Sequence, residues 1–156
     1  MVGLIVAIIV FNVIAFKTNR TLTAHQILHI WMFTIAFQQL FDLMIEYKYH
    51  GYWYFDREID WLGLIPHTLL IPPVNIMFLS WYPVHKTLIQ KAAYIVLWVI
   101  FILLYEVIAK LPEPWGYFHY GWWRLWHAAI VDPFLLLILL GYYKLISRLE
   151  KRAIQK

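Results

Sequence analysis

Cysteine is absent from the 156 residues, which excludes a disulfide framework, a thiolate metal site and a cysteine nucleophile. Charge is scarce: 14% of the chain is Asp, Glu, Lys or Arg, against about 25% in an ordinary soluble domain. Glycine and proline are few, at 6 and 7 residues, and heptad charges are missing, so neither a collagen-like chain nor a coiled coil fits. What fills the chain is hydrophobic, 63% of it, with 19% aromatic. That is far too apolar for disorder. A domain this long buries only about 70% of its unfolded surface, so the solvent must itself be apolar, and lipid answers that requirement.

A membrane-crossing helix takes about 17–25 mostly apolar residues at ~1.5 Å rise each. Five segments qualify as candidate spans, at 2–16, 22–46, 61–82, 92–109 and 125–147. The expected fold is therefore all-α, a single integral membrane bundle over 1–156 with about five transmembrane helices. The first span is short. A removable secretory leader is not expected there, because the first charges, Lys17 and Arg20, follow the apolar run instead of preceding it. Pro66, Pro72 and Pro73 should kink the third span and Pro133 the fifth, since proline removes a backbone donor and clashes with the carbonyl four residues back.

Five crossings put the termini on opposite sides. Nine Lys and Arg residues then share the C-terminal side and four share the other, which predicts the C-terminus in the cytoplasm and the N-terminus outside a plasma membrane. The loops 47–60 and 110–124 would face out. The basic tail of Lys144, Arg148, Lys151 and Arg152 reads as a span end reaching headgroups. No nucleic-acid partner is expected from it. Bilayer lipid is the expected partner, with a homo-oligomer or another membrane protein as further options.

The two outer segments hold 14 of the 30 aromatics within 47–61 and 115–126. Amphipathic rings gather at the headgroup level, so a belt accounts for most of them. A sharper expectation is a lid, with the Pro112, Pro114, Gly116 and Gly121 loop folding over the mouth of the bundle.

Ionisable groups at membrane depth are costly and usually face the protein interior. Thr34, Gln38, Asp42 and Glu46 recur every four residues and form one polar stripe. His67 and Asn75 lie on the third span, Glu106 on the fourth, and His127 and Asp132 on the fifth. Counted from the outer boundary, Asp42 and Glu106 sit about 6 Å deep and His67 and Asp132 about 10 Å. A hydrated pocket in the outer half would therefore use Gln38, Asp42, Glu46, His67, Asn75, Glu106, His127 and Asp132. Asp42, Glu106 and Asp132 are the candidate acids or bases. His67, His127 and Asp132 are the candidate metal ligands, by ligand type alone; the cofactor is left unknown. Asn12 reads as interhelical hydrogen bonding, and His25 with His29 as an interfacial pair with ligand capability.

The runs Glu58-Ile59-Asp60-Trp61, His67-Thr68, Ile71-Pro72-Pro73-Val74-Asn75 and Trp81-Tyr82-Pro83, with Tyr105-Glu106 and Asp132-Pro133, resemble a pattern in small uncharacterised multi-pass membrane proteins of spore-forming Gram-positive bacteria. The resemblance covers most of the chain. It implies a bacterial plasma-membrane protein and carries over no activity and no site residue.

Three functions compete on these residues. The favoured one is binding of a small ligand or a membrane partner in the outer pocket, because it asks least of the side-chain geometry. The alternative is a membrane-embedded enzyme, metal-assisted or acid–base, acting on a lipid or isoprenoid. The third is a proton-coupled transport subunit, which five helices without an inverted repeat serve poorly.

Overall fold

The computed structural model describes residues 1–57 and 61–154. Glu58, Ile59 and Asp60 of the resembling pattern lie outside the described residues, as do Gln155 and Lys156. Five helices form an all-α bundle: α1 (Val2–Thr18), α2 (Ala24–Asp42), α3 (Ile71–Ser80), α4 (Leu88–Ala109) and α5 (Leu125–Ile154). Three helical segments, Ala24–Lys48, Leu88–Ala109 and Leu125–Ala153, are long and apolar enough to cross a membrane. The bundle is inverted relative to a soluble protein. Ile9, Leu97, Leu104, Ile130 and Phe134 are exposed on its outside, while Gln26, Thr34, Asp42, Glu46, His67 and Ser80 are buried. An apolar surface of this extent suits contact with hydrocarbon or with other apolar protein surface.

The third element departs from the expected lipid-facing span over 61–82. It consists of a five-residue π-turn, Pro66–Leu70, followed by the ten residues of α3. Ile76 and Phe78 are fully buried, and α3 packs against α1, α2 and α5. Proline explains the shape. Pro73 has no N–H to give the carbonyl of Leu69, four residues back, and the backbone widens into i→i−5 bonding just before it, as in Ile71 N–H to Pro66 O. The freed Leu69 carbonyl accepts from Asn12 Nδ2 of α1 at 2.9 Å, and the same amide nitrogen reaches Ile8 O at 2.8 Å.

Asn12→Leu should therefore cost about 0.5–1.5 kcal/mol, the usual net worth of one hydrogen bond, since the Leu69 carbonyl is not buried. In a Pro73→Ala background the loss should shrink, because residue 73 then supplies its own N–H. Unfolding free energies of the four proteins in mixed micelles would decide it. Equal losses in the two backgrounds would refute this account of Asn12.

Local chemistry also moves the other boundaries. At α2, Thr23 Oγ1 accepts from Gln26 N at 3.1 Å while Thr23 N donates to Gln26 Oε1, a reciprocal cap that starts the helix at Ala24. The same arrangement at Thr87 and Gln90 starts α4 at Leu88, earlier than the expected 92. α5 runs unbroken through Pro133 and past the expected end at 147. Its last turn carries Lys151 and Arg152, which suit a helix C-terminus. Glu150 there accepts hydrogen bonds from Thr23 Oγ1, at 3.0 Å, and from Gln26 Nε2.

At the opposite end the two aromatic loops join. Residues 52–53 (β1) and 119–120 (β2) pair antiparallel, Tyr52 opposite Tyr120 and Trp53 opposite His119. The Gly51 carbonyl accepts from Gly121 N at 2.8 Å and Trp123 N at 2.9 Å, and Trp122 Nε1 donates to Tyr49 O. The aromatics divide between the two expectations. Trp61 is 85% exposed and Trp115, Trp122 and Trp126 are exposed with it, as a belt requires. Tyr52, Tyr54, Tyr117, Phe118 and Trp123 turn inward and form a cap.

Candidate functional site

Beneath the cap, α2, α3, α4 and α5 enclose a cavity of about 230 Å³. Its wall is mostly apolar and aromatic, with Phe37, Phe41, Ile102, Tyr105, Leu136 and Leu139 among the lining residues. The polar interruptions are Thr34, Gln38, Asn75, Glu106 and Asp132. Asn75 Nδ2 donates to Thr34 Oγ1 at 3.0 Å, so those two satisfy each other across the α2–α3 contact. The wall is mostly apolar because the ring-bearing face of α2 and the cap aromatics line it.

The eight expected pocket residues separate into three places. Gln38, Asn75, Glu106 and Asp132 line the cavity. Asp42, Glu46 and His67 lie behind its wall as a second, closed cluster. His127 belongs to neither: its Nδ1 accepts from Arg124 N at 2.9 Å and its ring stacks on Trp126 at 3.6 Å between centroids, in the tryptophan layer. The grouping of His67 with His127 and Asp132 as metal ligands is therefore corrected. The five-residue offset between His127 and Asp132 turns them to different sides of α5, and the continuous helix does not bring them together.

In the cavity, Glu106 is held and Asp132 is not. Tyr120 Oη donates to Glu106 Oε1 at 2.5 Å, and Lys110 Nζ lies 3.5 Å from the centroid of the Tyr120 ring. Asp132 Oδ2 is buried and has no hydrogen-bond partner among the described residues. Asp132 lines the cavity, and a buried carboxylate oxygen in this state is a vacant acceptor. Glu106 and Asp132 both line the cavity, so a donor or cation bound there has two carboxylates to meet.

The closed cluster is built by two π-turns. The first, Leu43–Lys48, extends α2 and carries Glu46; the second, before α3, carries His67. π-turns shift side-chain register and often mark functional sites. Asp42 and His67 have no exposed surface and Glu46 has 4%. One nitrogen of His67 and one oxygen of each carboxylate all lie within 4.8 Å of one another. His67 Nε2 is 2.9 Å from Asp42 Oδ2 without an aligned hydrogen bond, and Glu46 Oε2 has no hydrogen-bond partner among the described residues. Asp42 is held from the other side by Tyr52 Oη and by Gln38 Nε2 at 3.1 Å. Gln38 thus touches both places, with its amide on Asp42 and its flank on the cavity.

The sequence reading omitted the tyrosine hydroxyls. Burial first, then the Asp42 charge, push Tyr52 and Tyr54 well above the usual phenol range, which keeps both as neutral donors. Burial pushes Tyr117 up as well, and its hydroxyl meets that of Tyr105 at 2.7 Å. The alternation Tyr52-Trp53-Tyr54 was the available signal, since successive side chains of an extended segment point to opposite faces. His25 and His29 form a ring pair at 5.1 Å near the start of α2, remote from both places.

The fold and site define an all-α bundle with membrane-length helices, an internal cavity and a buried acid–histidine cluster. No family model, curated protein or solved structure matches the chain.

Proposed function

We propose that this is a multi-pass membrane protein that binds a small amphipathic molecule in the cavity, apolar body among the phenylalanines and a donor head, amine or hydroxyl, at Asp132 and Glu106. The unpartnered Asp132 oxygen in an otherwise apolar, capped cavity carries this reading. Apolar enclosure with a few placed polar groups is the usual form of a small-molecule site. The charge asymmetry of the loops and the resemblance to bacterial membrane proteins support a plasma-membrane setting, cap outward and basic tail in the cytoplasm.

A photoreactive medium-chain alkylamine is the test probe, with the corresponding alkane as comparison. The amine should crosslink to peptides carrying Trp123, Val131 or Leu136. Asp132→Asn should weaken its capture roughly tenfold, the equivalent of one charge-assisted hydrogen bond. Ala128→Phe or Val131→Phe should block it by filling the space. Labelling spread over the lipid-facing residues and indifferent to these variants would defeat the proposal. In the same cells, a cysteine at Asp56 should react with an impermeant reagent; protection there would reverse the orientation. The facing pair Glu106 and Asp132 also suits acid–base catalysis on a lipid or isoprenoid, and a chemically altered probe in the recovered complex would favour that second reading.

A further inference from the structure

The geometry points to a divalent metal site formed by Asp42, Glu46 and His67, separate from the cavity. Ionised together, the buried Asp42 and Glu46 carboxylates would carry a charge of −2, with His67 the one basic side chain placed against them among the described residues. Among the described residues, no lysine or arginine pairs with either of them. Burying charge without compensation is prohibitive, and a dication supplies that compensation in one step. Two observations aim the cluster at a ligand. Among the described residues, Glu46 Oε2 and His67 Nε2 are buried atoms without hydrogen-bond partners, and one potential ligand atom from each of Asp42, Glu46 and His67 lies within 4.8 Å of the others.

The ligand chemistry narrows the metal. One imidazole and two carboxylates suit zinc, manganese or iron, with no thiolate to draw copper(I). Metal–ligand bonds of about 2.0–2.2 Å allow ligand atoms to stand at most about 4.4 Å apart. The three ligand atoms lie within 4.8 Å of one another, close enough that small side-chain adjustments bring them onto one ion. Three protein ligands would leave open positions on the metal, the pattern of reactive sites rather than closed structural ones.

The surrounding groups act as orienting partners. Tyr52 Oη and Gln38 Nε2 fix the Asp42 carboxylate, leaving Oδ2 directed at His67. The Gln39 amide lies 3.4 Å from His67 Nδ1. The amide nitrogen is the nearer atom; reversing that amide on metal binding would bring its oxygen to Nδ1, keep the proton there and free the Nε2 lone pair for the metal. The Tyr54 ring stands edge-on to the imidazole at 4.7 Å and shields it from the cavity.

The test is elemental analysis of the full chain, purified in mild detergent without chelator or affinity histidines, from cells grown with zinc, manganese and iron supplied. Near-stoichiometric metal is expected in the wild type. His67→Gln and Glu46→Gln should each reduce it at least about tenfold, while Asp132→Asn keeps it. That control separates the two proposals, since loss of amine capture with metal retained would sink the cavity reading alone. Protein from cobalt-supplemented cells gives a readout independent of whether the variants fold: the wild type should show visible absorption from cobalt held by nitrogen and oxygen. Metal-free wild type without such bands overturns the assignment, leaving the cluster neutralised by protons. Metal retained in both folded variants overturns it equally.

Discussion

Asp42→Ala should lower the unfolding free energy by about 3–5 kcal/mol, because it removes one member of a buried charged network and strands the others. Four groups depend on that carboxylate. His67 Nε2 stands 2.9 Å away, Gln38 donates at 3.1 Å, the Tyr52 hydroxyl donates to it, and Glu46 shares its space. Tyr52 is held neutral by burial and by the Asp42 charge itself, so without Asp42 its O–H points into an apolar wall. Asp42→Asn should cost less, since the amide oxygen still accepts from Tyr52. A cycle of Asp42→Ala with Tyr52→Phe should show a coupling of about 1–3 kcal/mol. These measurements belong on chelator-dialysed protein, where any metal contribution is removed. Loss below about 1 kcal/mol for Asp42→Ala, the level of an ordinary surface change, would mean the network contributes little to the fold.

Gly121→Ala should unlatch the cap at a cost of about 2–4 kcal/mol, the size expected when backbone must shift and hydrogen bonds break. A Cβ at this position would stand 2.1 Å from the His50 carbonyl oxygen and 3.1 Å from that of Gly51. Both obstacles are main chain, so no side-chain rotation relieves them. His50 has little freedom either: it sits at φ 50, in the left-handed region, as the chain leaves the π-turn. The strain must separate residues 50–53 from residues 119–123, breaking the two N–H bonds to Gly51 O. Tyr52 then leaves Asp42 and the cavity loses its roof. Faster proteolysis within 110–124 and weaker amine capture should accompany the loss of stability. A variant as stable and as protease-resistant as wild type would show that the loops do not pack this closely.

Several features were legible because they are periodic or compositional. The apolar runs specified five helices and an all-α bundle. The four-residue spacing of Thr34, Gln38, Asp42 and Glu46 marked one inward stripe, and three of these four are buried. Boundaries were less legible: the Thr23–Gln26 and Thr87–Gln90 caps were readable as motifs, yet the hydrophobic count overrode them. The two-residue strands fall below any pattern that alternation can establish. Depth counted along the membrane normal from residue numbers puts Asp42, His67, Glu106 and Asp132 near one level. Level alone does not bring side chains together.

By itself the sequence determined the apolar character of the helices, the helical class, the few residues costly enough to need an interior, and the aromatic segments at one end. Those properties follow from transfer free energies and local backbone chemistry, which are local along the chain. Only the tertiary structure decided which of the costly residues meet. Rotation of each helix about its axis, the register shifts at the two π-turns and the pairing of two distant loops divide one apparent layer into a dry cavity with Asp132 and a closed cluster around Asp42. Contact depends on angles and long-range packing that no spacing along a single helix contains.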